Sequence, residues 1–230
     1  MSSQVYRHEY KYRISKMSAE LLRHRLGLVL RMDKHTGPDG GYMIRSLYFD
    51  DADNSAYHEK LSGIRDRAKY RLRYYNYDDS YIVFEKKAKQ GLYSHKESVR
   101  VTKEQAYAMM YGDRYALHSS GEPLLEEFAA LCAAKRMAPK VLVDYDRIPF
   151  TYPVSNVRVT LDLDLRTAPY KTDLFNDRHA LLPVFPDGEQ LMEVKFNEFL
   201  PEFIRDLLYD IPKTLVANSK YTICLSTVME

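Results

Sequence analysis

Five basic residues fall on alternate positions of one short stretch: Arg65, Arg67, Lys69, Arg71 and Arg73. On a β-strand all five would point to one side of the pleat. Like charges on one strand face repel, so a sheet standing alone gains nothing from the arrangement. The pattern recurs along the chain. Arg7, Glu9, Lys11 and Arg13 share a parity, as do Glu85 and Lys87, then Lys96, Ser98 and Arg100. Tyr145 alternates with Arg147, and Arg158 with Thr160, Asp162 and Asp164. Glu193 and Lys195 alternate against Met192, Val194 and Phe196. A charged run on one strand is ordinarily a solvated face. Repeated on strand after strand, with Arg and Lys where a water-facing sheet would accept Thr, Ser or Gln, it asks for another account. A closed or half-closed barrel with these side chains turned inward would focus a strong positive potential. Such a cavity is tenable only around an anion. Linear phosphate chains suit it, because arginine forks match phosphate oxygens bidentately and lysine adds a point charge.

The acids scattered among these bases follow a pattern of their own. Glu9, Glu85 and Glu193 each precede a lysine by two residues, giving E-x-K at Glu9/Lys11, Glu85/Lys87 and Glu193/Lys195. Each acid could neutralise a neighbouring base as a structural ion pair. Each could equally coordinate Mg²⁺ or Mn²⁺ that bridges phosphate oxygens, since such ions take one or two carboxylates plus substrate oxygens and water. For Glu9 and Glu85 the sequence leaves both readings open; Glu193 is the leading metal ligand.

Positioning these side chains requires many strands. Period-2 alternation predicts strands over Tyr6–Ile14, Gly41–Phe49, Arg65–Tyr75, Ser80–Lys87, Tyr93–Val101, Lys140–Ile148, Arg158–Leu165, Gln190–Phe196 and Lys220–Ser226. Helical patterns separate some of them. Ser18–Arg31 places Leu21, Leu22, Leu26, Val29 and Leu30 on one face with Ser18 as N-cap. Asn54–Leu61, Lys103–Tyr111, Pro123–Lys135 and Pro201–Tyr209 are shorter. Several strand pairs leave no room for a crossover helix, so the expected fold is α+β, an antiparallel β-barrel or tunnel with peripheral helices. No linker divides the chain, and a single domain over residues 1–230 is expected.

Composition narrows the function classes. The chain has 34 basic and 32 acidic residues, a formal net charge of +2. A bulk polyanion binder with a global basic excess is excluded, and positive charge must be concentrated locally. The 20 tyrosines and absence of tryptophan fit a strand-rich chain. Cys132 and Cys224 stand far apart in no metal-binding spacing and read as buried thiols of a reducing compartment. The polar N-terminus is no signal peptide and no apolar run reaches bilayer length, which predicts a cytoplasmic protein, with docking on a membrane partner left open. No phosphate-binding P-loop, G-x-S-x-G or H-E-x-x-H motif occurs. A nucleic-acid module could use the aromatics Tyr70, Tyr74 and Tyr75 interleaved with the bases as stacking platforms. Most of those rings fall on the face opposite the arginines, so nucleic acid is not expected as a partner.

Eight short motifs appear in order: R-H-E-Y-K-Y at 7–12, S-L-Y-F-D at 46–50, R-A-K-Y-R-L-R-Y-Y at 67–75, F-E-K-K at 84–87, Y-D-R at 145–147, R-V-T-L-D at 158–162, M-E-V-K at 192–195 and S-K-Y at 219–221. The series resembles the VTC (vacuolar transporter chaperone) domain, the polyphosphate polymerase module of the triphosphate tunnel metalloenzyme (CYTH-like) superfamily. The resemblance implies an antiparallel β-tunnel, a divalent cofactor (Mn²⁺ or Mg²⁺), and transfer of the terminal phosphoryl group of ATP to a growing polyphosphate chain. It assigns phosphate contacts to Lys11, Arg71, Arg73, Lys87, Lys96, Arg147, Arg158 and Lys220, hydroxyl donors to Tyr145 and Ser219, and the metal to Glu193. Arg71, Arg73, Lys87 and Lys220 are the expected catalytic residues; alternation adds Lys69 and Lys195 to the phosphate-binding set. Phosphoryl transfer asks mainly for positioning and charge neutralisation, so no nucleophilic side chain is needed.

The chain also departs from the family pattern. Hydrolytic members of the superfamily often begin E-x-E-x-K, whereas here the first position is Arg7, which weakens a second metal site. No sensor domain of the SPX type is expected before the tunnel domain, nor membrane segments after it. An inorganic tripolyphosphatase or nucleoside triphosphatase is the alternative activity, and a non-catalytic polyphosphate sensor a third reading. Oligomeric state is not set by the sequence.

Overall fold

A computed structural model of the chain describes residues 7–229 except 39, 92, 119, 170–172, 179, 186 and 218. In chain order the elements are β1 (Arg7–Ile14), α1 (Lys16–Val29), β2 (Arg31–Met32), β3 (Tyr42–Asp50), α2 (Ser55–Leu61), β4 (Arg67–Tyr75), β5 (Asp78–Gln90) and β6 (Tyr93–Val101). There follow α3 (Lys103–Tyr111), α4 (Arg114–His118), α5 (Pro123–Lys135), β7 (Ala138–Tyr152), β8 (Val157–Pro169), β9 (Leu182–Pro183), β10 (Gln190–Asn197), α6 (Glu202–Tyr209), β11 (Lys213–Leu215) and α7 (Lys220–Met229). The strands make an 11-stranded, mostly antiparallel sheet with peripheral helices, and among the described residues its ladder is not closed. No helix of the described residues is long and apolar enough to cross a membrane.

The chain divides into two compact units, each assembled from three separate stretches. The first comprises Met1–Met43, Tyr145–Leu165 and Pro183–Ala217. Its strand order runs β11-β1-β10-β8. The inward-facing apolar residues of β8 and β10, Val159, Leu161, Met192, Val194 and Phe196, pack with Leu22 and Leu26 of α1 and Ile204 and Leu208 of α6. The helix α1 starts earlier than its pattern suggests. Ser15, not Ser18, is the N-cap, accepting the Ser18 N–H at 3.0 Å, and Ser18 is buried in the first turn. The buried stripe is then Ala19, Leu22, Leu26 and Leu30, and the expected core residues Leu21 and Val29 turn outward.

The second unit comprises Ile44–Asp144, Arg166–Leu182 and Asn218–Glu230. Here β3-β4-β5-β6 form consecutive antiparallel pairs. One face of these strands, with Leu47, Phe49, Tyr70, Leu72, Tyr74, Ile82 and Phe84, packs against Phe128, Leu125 and Ala129 of α5 and Met109 of α3. Phe128 stands 5.0 Å from Phe49 and 4.9 Å from Phe84, both edge-on. Each such ring, fully removed from water, contributes about 1.5–3 kcal/mol. With one face committed to this core, strict alternation delivers every basic residue of β4 to the other face.

Two more expectations need correction. The segment Lys220–Ser226 is the helix α7, not a strand. Ser219 accepts the Thr222 N–H at 3.3 Å while its own N–H donates to Thr222 Oγ1 at 3.1 Å, a reciprocal cap that starts a helix. Tyr221, Cys224 and Leu225, spaced i, i+3, i+4, are buried on one face of it. The strand β4 begins at Arg67, so Arg65 lies outside the pleat and four bases of that run, not five, share its face. Finally β2, β9, β11 and α4 carry no clear period in so few residues and go unanticipated. Tyr6, the expected start of β1, lies outside the described residues.

Candidate functional site

In the second unit, register turns the alternation into rows. Lys69 on β4 stands opposite Lys87 on β5, and Lys87 opposite Lys96 on β6. The next row along is Tyr48, Arg71, Glu85 and Ser98, and beyond it Ser46, Arg73, Val83 and Arg100. Six bases, Lys69, Arg71, Arg73, Lys87, Lys96 and Arg100, thus stand in these three rows with one acid, Glu85. Directly opposed like charges destabilise an antiparallel pair.

Glu85 is the counter-charge that makes this face foldable. It is 3% exposed. Arg71 Nε donates to Glu85 Oε2 at 2.6 Å, Arg73 Nη1 lies 3.8 Å from the same oxygen, and the Lys96 ammonium closes on Oε1. Burial would push its carboxyl up, but Arg71, Arg73 and Lys96 overcome that and hold it at about 2. Both oxygens are occupied by bases, so this acid serves as an ion-pair partner in the structure. Arg71 is further aimed by Tyr48, whose hydroxyl accepts from Nη1 at 2.7 Å, and Arg73 by Ser46 at 3.0 Å.

Lys69 is fixed by the start of α7. Its ammonium donates to Ser219 Oγ at 2.7 Å and lies 5.0 Å from the centre of the Tyr221 ring. Tyr221 stacks on Tyr48 at 5.2 Å and donates its hydroxyl to Asp50 Oδ2 at 2.5 Å. Burial, then Asp50, drives the Tyr221 phenol far above its ordinary range, so it stays a donor. Asp50 in turn caps α2, accepting the Ala56 N–H at 3.0 Å and the Tyr57 N–H at 3.1 Å. Lys220 is the first residue of α7 and half-buried, while Lys87 is exposed. A separate buried ion group lies on the other side of β3, where Asp144 accepts from Arg45 Nε at 2.8 Å and Arg166 Nε at 2.9 Å.

The first unit combines its charges differently. Across β1 and β10, Glu9 stands opposite Lys195 and Lys11 opposite Glu193, so each acid directly faces a base. Lys195 Nζ is 2.5 Å from Glu193 and 3.8 Å from Glu9; Lys11 Nζ is 2.8 Å from Glu9 and 3.8 Å from Glu193. Two ammonium groups therefore bridge two carboxylates. Nearby on β8, Thr160 is the register partner of Glu193 and Arg158 that of Lys195. Arg158 reaches Asp33 at 2.8 Å and Tyr42 at 3.3 Å. Arg147 makes a bidentate pair with Asp162, at 2.6 and 2.8 Å, and lies 5.3 Å from the Tyr145 ring centre. Burial opposes its charge, but Asp162 outweighs burial and holds the guanidinium firmly protonated. Gly41 permits the close passage of the chain here, because a Cβ there would meet the Arg147 carbonyl oxygen at 2.8 Å.

These residues offer an incomplete but chemically suitable cation site. Thr160 Oγ1 is buried without a hydrogen-bond partner among the described residues, opposite Glu193. Two carboxylates already shared by cations, with an idle hydroxyl beside them, suit Mg²⁺ or Mn²⁺ if phosphate oxygens and water complete the shell. Among the described residues no three His, Cys, Asp or Glu side chains converge on one point, so those residues alone do not complete a shell.

The expected site residues thus fall into two groups: Lys69, Arg71, Arg73, Lys87, Lys96, Glu85, Ser219 and Lys220 in the second unit, and Glu9, Lys11, Tyr145, Arg147, Arg158, Glu193 and Lys195 in the first. Sequence reasoning missed Ser46, Tyr48 and Asp50. Their alternation in S-L-Y-F-D was a usable signal, since all three share one face of β3. It also missed Tyr42, Asp33, Arg45, Asp144 and Arg166, whose partners lie far along the chain and carry no local signature.

Residues 6–229 match the family model described as VTC domain. No curated protein matches the chain significantly. Among solved structures, a candidate adenylyl cyclase from Hippeastrum, HpAC1, described as having a dominant triphosphatase activity, superimposes with a TM-score of 0.57 at 16% identity over 95% of both chains. A candidate adenylate cyclase from Bacillus halodurans gives 0.51 at 14% identity, covering 87% of this chain and 86% of that one. The PH1819 protein of Pyrococcus horikoshii gives 0.50 at 12% identity, covering 96% and 99%. At such identities the likeness concerns the fold.

Proposed function

The chain belongs to the VTC domain family, and on that premise we propose that it is a metal-dependent phosphotransferase acting on ATP and polyphosphate, a polyphosphate polymerase. The observation that carries the reading is the β4–β6 face, where register opposes three lysines in one row and sets two arginines around a single buried acid. A face so charged gains stability when phosphate oxygens occupy it.

In this reading Arg71 and Arg73, aimed by Tyr48, Ser46 and Glu85, hold phosphate oxygens bidentately, and Lys69, Lys87, Lys96 and Lys220 add charge along the chain of phosphates. Arg147, Arg158, Tyr145 and Ser219 supply further donors. Glu193, assisted by Glu9 and Thr160, would hold Mn²⁺ or Mg²⁺, and Lys11 and Lys195 would turn from the carboxylates to phosphate. A divalent ion bound there supplies neutralisation of charge on the phosphate oxygens it touches. A terminal phosphate oxygen of the acceptor chain bonds to the γ-phosphorus of ATP. The bond from that phosphorus to the β,γ-bridging oxygen breaks, and ADP leaves. No side chain need act as nucleophile.

Hydrolysis of a triphosphate is the second reading, favoured by the triphosphatase activity in the description of the Hippeastrum protein. Arg7, where hydrolytic relatives carry an acid, weighs against it. Purified protein incubated with ATP and Mn²⁺, its products separated by gel electrophoresis, decides between them. Long-chain polyphosphate with stoichiometric ADP is expected. Orthophosphate without polymer would make the chain a hydrolase, and tight binding without turnover a sensor.

A further inference from the structure

The basic face of the second unit changes character at one end. Beyond the row of Ser46, Arg73, Val83 and Arg100 it ends in aromatic rings. Tyr75 lies two residues beyond Arg73 on β4, past an irregularity that shifts its register to Asp78, and Tyr81 lies two residues before Val83 on β5. Their rings lie 6.5 Å apart at 36°, and the Arg100 guanidinium lies 5.3 Å from the centre of the Tyr81 ring. Arg100 is steadied by the Ser80 carbonyl, to which it donates at 2.8 Å. Tyr81 is 50% exposed, so about half of this side chain stays open to solvent beside the guanidinium.

Neither the core nor phosphate binding accounts for the ladder. The other tyrosines of these strands, Tyr70 and Tyr74, are buried on the opposite face and belong to the core. Phosphate oxygens have no use for a phenol ring's face, whereas a nucleobase does, because bases stack on aromatic and guanidinium planes whatever their identity. From Tyr81 to Lys87 the strand advances about 20 Å. Between them lie, in order, the Arg73/Arg100 row, the Arg71/Glu85 row and the lysine row. An extended nucleoside triphosphate matches that order of chemistry: base, then sugar, then phosphates.

We infer that the Tyr75–Tyr81–Arg100 ladder is the nucleoside end of the phosphate site, stacking the base of a nucleoside triphosphate whose phosphates run toward Lys69, Lys87 and Lys96. The inference rests on the phosphate reading of β4–β6. It adds a polarity to the face and a means of telling a nucleotide from an inorganic phosphate chain. An inorganic chain occupies the bases and leaves the ladder empty.

Calorimetric titration of ATP and of inorganic tripolyphosphate, both with Mg²⁺, into wild type, Tyr81→Ala, Tyr81→Phe and Arg100→Ala tests it. Tyr81→Ala should weaken ATP by about tenfold or more and leave tripolyphosphate unchanged. Tyr81→Phe, which keeps the ring, should retain ATP affinity, and Arg100→Ala should lower it selectively by a smaller factor. An unchanged ATP affinity in Tyr81→Ala, or equal loss of both ligands, overturns the inference while leaving the phosphate reading in place. Failure of wild type to bind either ligand overturns the phosphate reading and this inference with it. Because the chain has no tryptophan, Tyr81→Trp adds a reporter independent of any folding defect in the alanine variant. Its fluorescence should be quenched saturably by ATP and not by tripolyphosphate; a response to neither, or to both alike, counts against the ladder.

Discussion

The E-x-K motif occurs three times, and the two units use it in opposite ways. In the first unit Glu9/Lys11 on β1 meets Glu193/Lys195 on β10 in antiparallel register, and each acid faces a base. The patch neutralises itself. In the second, Glu85/Lys87 on β5 meets Arg71 and Lys69 on one side and Ser98 and Lys96 on the other. Its acid is surrounded by bases and its lysine is flanked by lysines. The same three letters therefore give a balanced patch in one unit, to which the proposed function assigns the metal, and an unbalanced one in the other, to which it assigns the anion. What distinguishes them is the neighbouring strand, not the motif.

The sharpest way to break this comparison is to remove the bases around Glu85. Arg71→Ala with Arg73→Ala should abolish tripolyphosphate binding. It should also destabilise the fold by about 3–5 kcal/mol, because a buried carboxylate loses most of its partners. Adding Glu85→Gln should restore most of that stability without restoring binding. Urea melts of the double and triple variants check this, and equal stabilities would show Glu85 to be a bystander.

Acid titration probes the same carboxylate. Its folded-state value, about 2, lies below the ordinary 4.5. A depressed group contributes stability that is present above its unfolded value and is lost as pH falls through its folded value. Wild type should therefore lose about 3 kcal/mol more than Glu85→Gln between about pH 5 and pH 2. Parallel stability curves for the two proteins across that window would remove Glu85 from the account.

A smaller effect is expected at the lysine row. Lys87→Ala should weaken tripolyphosphate about tenfold with little change in melting temperature, as one charge-assisted contact is lost. The corresponding change in the first unit, Lys11→Ala, should leave tripolyphosphate affinity in the absence of metal nearly unchanged. If the two variants behaved alike in a metal-free titration, the contrast between the units would fail. The slightest effect belongs to Thr160. Thr160→Val should be neutral or mildly stabilising, since a buried hydroxyl without a partner is removed, and should weaken Mn²⁺ binding by a few-fold. Calorimetry with Mn²⁺ in the presence of tripolyphosphate measures it.

Much of this was legible in the sequence because strands write their faces with period 2. The sides of β4, β5, β6 and β10 could be read residue by residue, and with them the bases and acids that share a face. Register could not be read, since it depends on which strands pair, so neither the lysine row nor the shared ammoniums of Glu9 and Glu193 could be foreseen. The segment at 220–226 misled for a different reason. Tyr221, Ile223 and Leu225 satisfy a strand's alternation, whereas Tyr221, Cys224 and Leu225 satisfy a helix face; the cap at Ser219 decides between them. Glu85 could not be assigned from sequence, because its burial and its two arginine partners belong to tertiary structure.

The division between an anion-binding face and a metal-binding patch is tested most directly by one titration. Tripolyphosphate is added to wild type and to Glu193→Gln, each with and without Mn²⁺. The account predicts equal affinities for the two proteins without metal, and a gain on adding Mn²⁺ that wild type shows and Glu193→Gln lacks. Loss of metal-free binding in Glu193→Gln, or an undiminished Mn²⁺ effect in that variant, would contradict it.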